Sequence, residues 1–416
     1  MKHMPTLLMR SFSACSLPAT PTTLQEIAYS NSKGFAKVVL KKGKTQLFKD
    51  GNPMVYSGAV DRIIGRPPPK TGDIVLVADG TEKPIGWGLY NSVSMFCVRL
   101  MQLEVEATRR LGLPSVHTNA YRLINSEGDR LSGLIVDVFG DVAVVASSAA
   151  WVEKYKSEIE ACIWKINYIN HVNWRPSVDI LKEDGVDLSH SKELHSSNCP
   201  ERTKIMENGI VYTVSLKGQK TGFYADQREN RQFISSISDG QKVLDLCCYS
   251  GGFALNAVRG GAINVTGIDT SLPALDLAKE NVVLNNLDPG RISFFREDAT
   301  EFMKDAQLRD ASWDIVIIDP PKLAPTKKAL HGASGMYRKL NSFAMQLTKR
   351  GGLLMTCSCS GAMTQSGTFL HILQGAAAMA GRKITVLRQA GAACDHPIDP
   401  SYPEGAYLSN ILLRVT

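Results

Sequence analysis

A chain of 416 residues is longer than one ordinary hydrophobic core can organise, so two or three domains are expected. Apolar residues at 44% and charged residues at 21% are those of a globular protein, and no apolar run approaches the roughly 18 residues that a membrane span needs. The net charge of +7 permits a nucleic-acid partner without requiring one, and nine scattered cysteines with no Cys-x-x-Cys pair indicate neither a disulfide framework nor a metal site, so a reducing compartment is expected.

The first 25 residues carry Lys2 and Arg10 but no acid before Glu26, with Ser11, Ser13, Ser16 and several threonines. A basic, hydroxyl-rich, acid-free start has the composition of an organellar transit peptide, expected over residues 1–30, with chloroplast and mitochondrion not separated. Over residues 33–103, Ala36 to Leu40, Leu47 to Tyr56 around an Asp50-Gly51 turn, Ile74 to Ala78, Ile85 to Tyr90 and Phe96 to Leu100 read as short strands. Strands at that spacing, separated by Gly, Pro and Asp turns, predict a small β-barrel. A helix of about two turns is expected from Glu104 to Leu111, stopped by Gly112 and Pro114.

Residues 117–203 read as an α+β unit: a strand around Tyr121 to Ile124, a turn at Glu127-Gly128-Asp129, a hairpin of Gly133 to Phe139 with Val142 to Ser147, a helix from Val152 to Ile166, and strand and turn from Asn173 to Ile180. Glu183 and Asp184 read as solvated turn residues. Ile210 to Ser215 and a Lys217-Gly218 turn then lead to Gly222-Phe223-Tyr224-Ala225-Asp226-Gln227-Arg228 and a helix toward Ile237.

Residues 204–416 carry the densest pattern. Lys242 to Leu246 is an apolar strand interrupted by Asp245, and it closes on Gly251-Gly252 before a helical run from Phe253 to Arg259. The glycines let a ligand approach the backbone, and the helix start behind them offers unpaired N–H groups. Further strands end in Asp269, where a carboxylate would meet ribose hydroxyls, in Asp298, in Asp319-Pro320-Pro321-Lys322, and in Cys357-Ser358-Cys359-Ser360-Gly361. Helical patterns between them predict a mostly parallel α/β sheet whose loops converge on one crevice.

This order of motifs resembles the class I S-adenosylmethionine-dependent methyltransferases, and most closely the ribosomal RNA large subunit methyltransferase I family, 23S rRNA cytosine-5 enzymes with an N-terminal PUA domain. The resemblance covers roughly residues 35–416, with Lys41-Lys42-Gly43, Val55-Tyr56-Ser57-Gly58 and Gly86-Trp87-Gly88-Leu89-Tyr90 carrying the PUA pattern. It departs at 101–117, where the family's helical connector is longer. It implies S-adenosylmethionine as cofactor, held by Asp245, Cys247, Ser250, Gly251, Gly252, Phe253, Asp269, Thr270, Asp298 and Asp319, with Tyr224 and Gln227 beside them. It implies RNA as partner, most of all large-subunit rRNA, contacted by Lys322, Arg228, His396, Lys41 and Lys42, with Lys44, Arg62 and Arg66 as further phosphate contacts and Tyr56 and Trp87 stacking on bases. A homodimer is compatible with it; no membrane and no metal are expected.

Cytosine carbon 5 is scarcely nucleophilic, and a thiolate added to carbon 6 makes it so. The resemblance assigns that thiol to Cys359, aligned with the single cysteine of the family's Ser-Cys-Ser-Gly motif; period-two alternation alone leaves Cys357 equally placed. Asp319, set in a stiff Asp-Pro-Pro turn, is the second catalytic candidate, holding the exocyclic amine or the protonated ring nitrogen. Asp-Pro-Pro also resembles enzymes methylating exocyclic nitrogens, which need no thiol, and a non-catalytic RNA-binding assembly factor is a third alternative.

Overall fold

The computed structural model describes residues 35–101, 111–187, 199–216, 221–323 and 329–416. The transit-peptide segment, most of the helix expected at Glu104–Leu111 and the Lys217-Gly218 turn lie outside the described residues.

Six strands make the first sheet: β1 (Ala36–Leu40), β2 (Met54–Tyr56), β3 (Val60–Ile64), β4 (Ile74–Ala78), β5 (Pro84–Tyr90) and β6 (Phe96–Leu100), in the order β2-β6-β5-β4-β1-β3. β2 and β3 stand at opposite edges, yet only the three-residue turn Ser57–Ala59 separates them in sequence. Three residues span at most about 10 Å, whereas five flat inter-strand steps would span about 24 Å, so the sheet must curl round on itself. Alternate residues Val38, Leu40, Val75, Val77 and Val98 fill the space it encloses. Two expectations are corrected. Leu47 lies in a one-turn helix, Gln46–Lys49, not in a strand. Trp87 is buried against Leu76, with Phe35 edge-on at 5.0 Å, so its indole is core and not a stacking platform for bases. β3 escaped notice because four of its five residues are exposed, which removes the alternation that marks a strand.

The second sheet has the order β10-β9-β8-β7, built from β7 (Ala120–Asn125), β8 (Leu134–Phe139), β9 (Val142–Ser147) and β10 (His171–Pro176). β10 runs parallel to β9, and the helices Ala150–Lys154 and Lys156–Ile163 make the crossover. Val178–Glu183, read partly as strand and turn, is a helix. Asp184 is also corrected: it is 4% exposed, receives both ends of the Arg99 guanidinium at 3.1 Å, and accepts the Ala150 N–H at 2.9 Å. The pair ties β6 of the first sheet to the second across the connector.

A β11–β12 hairpin (Arg202–Glu207, Ile210–Ser215) precedes the third sheet: β13 (Lys242–Leu246), β14 (Asn264–Asp269), β15 (Ile292–Arg296), β16 (Trp313–Ile318), β17 (Thr348–Ser358), β18 (Ile384–Ala390) and β19 (Ser409–Val415). Its order is β15-β14-β13-β16-β17-β19-β18; the first five strands are parallel and β19 is antiparallel to both neighbours. Side-chain alternation sends Val243, Ile315 and Ile317 into the core on one face and Leu244, Val316 and Ile318 into the core on the other. The chain winds outward from β13 to β15 and then returns to β16 on β13's other side. That reversal opens a crevice above the carboxyl ends of β13 and β16.

Candidate active site

β13 carries Asp245 with its carboxyl fully buried. Oδ2 accepts the Ala254 N–H at 2.9 Å, while Oδ1 has no partner among the described residues. Burial pushes the carboxyl well above the ordinary carboxylate range. The loop that follows is held in an uncommon backbone shape, with positive φ at Cys247 (62°), Tyr249 (50°) and Gly251 (81°). Asp269 at the end of β14 fixes it, accepting the N–H of Tyr249 at 2.9 Å and of Ser271 at 2.8 Å. A buried carboxyl oxygen with no protein partner beside a glycine turn and a helix start suits a cofactor that carries polar groups of its own, and S-adenosylmethionine fits those residues.

Gly251 is required here on two grounds. A Cβ would fall 2.6 Å from Leu255 Cδ1 and 3.1 Å from Ala278 Cβ, and its φ is one that side chains resist. Gly251→Ala is therefore expected to cost about 1–3 kcal/mol of stability and to weaken cofactor binding about tenfold, measured by denaturant unfolding and by calorimetry with S-adenosylhomocysteine.

The remaining cofactor candidates divide. Ser250 is buried, and its carbonyl accepts the Asn281 amide at 3.3 Å. Gly252 opens the helix Gly252–Arg259. The Phe253 side chain is corrected to core, packed among Ala254, Leu255 and Val265, which leaves only its backbone near the turn. Thr270 is exposed, with its carbonyl accepting Arg296 Nε at 3.2 Å. Asp298 caps the helix Ala299–Leu308, one oxygen accepting from the N–H of Thr300 at 2.8 Å and of Glu301 at 3.2 Å.

The ends of β16 and β17 bring Asp319 and Cys359 together, with Cys359 Sγ 3.8 Å from Asp319 Oδ1. Gln227, from the turn Ala225–Gln227, donates to Asp319 Oδ2 at 3.1 Å. The two cysteines of β17 are not equivalent. Cys357 lies within the strand, fully buried, its sulfur accepting the Asn410 amide at 3.2 Å and its thiol pushed well up by burial. Cys359 lies just past the strand end and is half-buried. A hydroxyl network holds that end: Ser358 Oγ donates to Tyr337 Oη at 3.0 Å, and Tyr337 Oη lies 3.3 Å from Ser360 Oγ. Tyr224 is half-buried with its ring edge-on to Tyr249 at 5.3 Å, and burial raises its phenol. Burial, then the charges of Asp269, Asp319 and Asp245, push the Cys247 thiol up in the same way.

Other candidates stand apart. Arg228 is 5% exposed; it donates to both Asp395 oxygens at 3.0 and 2.7 Å and to the Ala120 carbonyl at 3.0 Å, which makes a buried joint. His396 is buried in that joint, Nδ1 3.0 Å from Asp395 Oδ1. Asp226 accepts the Tyr407 hydroxyl at 2.7 Å. Lys322 is exposed three residues past Asp319, while Lys41 and Lys42 are exposed on the first sheet, Lys41 Nζ donating to the Gly58 carbonyl at 3.0 Å. Arg62 is engaged by Asp61 and Glu82. The sequence reading missed Asn230, Arg231 and Glu207. The helix Arg228–Ile237 turns Arg228, Asn230 and Arg231 inward with Ile234, and a search for apolar periodicity passes over a polar inner face. Among the described residues no group of three His, Cys, Asp or Glu is arranged for a metal, and no helix is long and apolar enough to cross a membrane.

Comparison with known proteins gives concordant results. Residues 186–390 match a family of S-adenosylmethionine-dependent methyltransferases, and residues 38–103 match a PUA-like domain. Proteins named ribosomal RNA large subunit methyltransferase I are 35% identical in Alteromonas mediterranea, over 92% of this chain and 99% of that one, and 33% identical in Escherichia coli, over 91% and 99%. A solved S-adenosylmethionine-dependent methyltransferase from Streptococcus mutans superposes with a TM-score of 0.74 at 22% identity, covering 91% of this chain and 99% of that one. A second solved methyltransferase, complexed with S-adenosylhomocysteine, gives 0.74 at 21% over the same shares.

Proposed function

The chain belongs to the ribosomal RNA large subunit methyltransferase I family, and from that premise we propose that it methylates carbon 5 of a cytosine in large-subunit ribosomal RNA through a covalent adduct on Cys359. The observation that carries this reading is the 3.8 Å approach of Cys359 Sγ to Asp319 Oδ1 at the ends of adjacent parallel strands, beside the Asp245 loop.

S-adenosylmethionine, when bound, supplies an electrophilic methyl group on a sulfonium. Asp245, the backbone of residues 247–252 and Asp269 are the groups that would hold it. The chain's own part is to make carbon 5 reactive. Cys359 loses its proton, Asp319 Oδ1 being the nearest carboxylate, and its thiolate bonds to carbon 6 of the ring. The pair of electrons displaced toward carbon 5 makes that carbon nucleophilic. After methylation, a water molecule takes the carbon 5 proton, the electrons of that C–H bond restore the double bond to carbon 6, and the carbon–sulfur bond breaks to return the Cys359 thiolate. Asp319 would pass the proton it takes from Cys359 to the ring nitrogen as the thiolate adds, and, ionised again, accept from that protonated nitrogen or from the exocyclic amine. Tyr224 and Gln227 wall the same crevice.

A target base in folded RNA must be unstacked to enter, and a PUA-like domain ahead of the catalytic sheet can grip flanking RNA while it does. Replacing Lys41 and Lys42 together by alanine should weaken RNA binding and lower the slope of log affinity against log salt by about 2. Turnover at saturating RNA should not change. Titrations at several salt concentrations check this. Action in an organelle rests on the composition of residues 1–25 and is tested by where a fluorescent fusion of the full chain accumulates.

Transfer of labelled methyl to unmodified large-subunit rRNA, followed by nucleoside mass spectrometry, tests the reading. Cysteine-dependent 5-methylcytidine supports it. A nitrogen-methylated base, or cofactor and RNA binding without transfer, contradicts it.

A further inference from the structure

Between Asp319 and Asp395 the chain runs for 75 residues, 320–394, without one aspartate or glutamate, and it carries ten lysines and arginines there. The rest of the chain holds 37 basic residues against 40 acidic ones, so this stretch more than accounts for the net charge of +7. It builds the helices Leu330–Leu347, Gly361–Ser366 and Phe369–Ala380 with β17 and β18. The two longer helices pack on the face of the third sheet that carries Leu244, Val316 and Ile318, and their outer side makes one flank of the catalytic domain.

Two of these cations are spent locally, Lys349 on Asp314 at 2.6 Å and Arg388 on the amides of Asn230 and Asn410. The neighbouring helix Ala299–Leu308 spends Glu301 on its own Lys304. Among the described residues no acid pairs with Arg338, Lys339, Arg350, Arg382 or Lys383. Arg338 and Lys339 follow Tyr337, whose hydroxyl accepts from Ser358, the neighbour of Cys359, at 3.0 Å. The Arg338 side chain lies against Gly375 of the helix Phe369–Ala380, where a Cβ would fall 2.8 Å from its Nε. Eight residues on, about 12 Å by helical rise, Arg382 Nη2 donates to the carbonyls of Gln346 and Thr348 at 3.3 Å each. Burial and then the charge of Arg350 lower Arg382 from its ordinary value, so two guanidiniums stand near each other. Like charges placed so repel, and an anion between them relieves the repulsion.

We propose that this acid-free flank is a second RNA surface, along which the phosphate backbone beside the target base runs from the crevice past Arg338 and Lys339 to Arg350, Arg382 and Lys383. One small anion needs one cluster, whereas cations strung along a helix suit a polyanion. Lys322, exposed three residues past Asp319, stands at the crevice end. The flank grips without reading sequence. Its aromatic residues Tyr337 and Phe369 are buried and Phe343 packs on the core, so no ring is offered to a base and the contacts are to phosphates.

The inference rests on the proposed function only for RNA as the partner. Lys339, Arg350 and Lys383 are exposed, so Lys339→Ala, Arg350→Ala and Lys383→Ala can be combined in the full chain. The triple variant should lower the slope of log affinity for large-subunit rRNA against log salt by about 2 to 3, and each single substitution by about 0.7 to 0.9. The single variants carry the test if the triple one unfolds. The KM for RNA should rise, with kcat at saturating RNA and the KM for S-adenosylmethionine within about twofold of wild type. Adding Lys41→Ala and Lys42→Ala, which lie on another domain, should lower the slope by about 2 more. An unchanged slope in folded variants overturns the proposal. So does a triple variant that binds naked rRNA as wild type does but no longer binds ribosomal particles, which assigns the flank to a ribosomal protein. If the wild-type product is a nitrogen-methylated base, the cytosine-5 reading falls while the salt slope still judges the flank.

Discussion

Cys359→Ala is expected to lower methyl transfer about a thousandfold or more, because without a thiol at carbon 6 nothing makes carbon 5 nucleophilic. Cofactor binding should survive, since Cys359 is not part of the loop around Asp245. The companion substitution separates the two sulfurs of β17. Cys357→Ala should leave turnover within about tenfold and cost about 1–2 kcal/mol of stability, as expected of a small buried side chain that packs and accepts the Asn410 amide. Burial also holds the Cys357 thiol protonated, whereas Cys359 sits at the open end of the strand. Initial rates with rRNA and urea unfolding of both variants check the pair. Equal losses of activity would contradict this assignment.

Arg228→Met is expected to be the most destabilising substitution outside the catalytic pair, by about 3–5 kcal/mol, because it leaves Asp395 buried without its cation. Both partners are nearly inaccessible, at 5% and 2% exposure. Asp395 also accepts the Arg122 N–H at 2.8 Å, and Arg122 in turn grips Asp137 at 2.8 and 3.0 Å, so the loss would loosen the second sheet from the C-terminal segment. Burial alone would raise the Asp395 carboxyl, but the bonds from His396 and Arg228 outweigh it and hold it well below the usual range. A folded value below the unfolded one, about 3.9, contributes stability that is complete above that pH and lost as pH falls toward the folded value. In Arg228→Met the depression shrinks, so acid unfolding should begin at higher pH. Urea midpoints at pH 7 and pH 4 measure both effects, and a shift under about 1 kcal/mol at pH 7 would contradict the joint.

The parallel strands were legible because each is a short apolar run ending in a polar residue, and Asp245, Asp269, Asp298, Asp319 and Cys359 mark the strand ends. Period-two alternation could not separate Cys357 from Cys359, because both point to one side of a strand; only where β17 stops makes the difference. Thr270 and Asp298 show the limit of placing ligand contacts by position along a strand: the first is exposed and the second spends its carboxylate on a helix start. The polar interior was hidden for another reason. Arg228, Asn230 and Arg231 look like a solvated helix face, and so does Asp184 like a turn, until their partners Asp395, Gln227, Glu207 and Arg99 arrive from distant segments. A single sequence offers charges but not their pairing. Trp87 carried the opposite ambiguity, since an aromatic suits a base stack and a barrel core equally well.

The most direct test of the covalent reading is to offer the protein large-subunit rRNA containing 5-fluorocytidine together with S-adenosylmethionine. Fluorine in place of the carbon 5 hydrogen cannot leave as a proton, so an enzyme that adds its thiol to carbon 6 stays bonded to the RNA. The account predicts a denaturation-resistant protein–RNA species that maps to the peptide containing Cys359 and is absent in Cys359→Ser. Methyl transfer to the RNA with no such species, or a species that persists in Cys359→Ser, would contradict it.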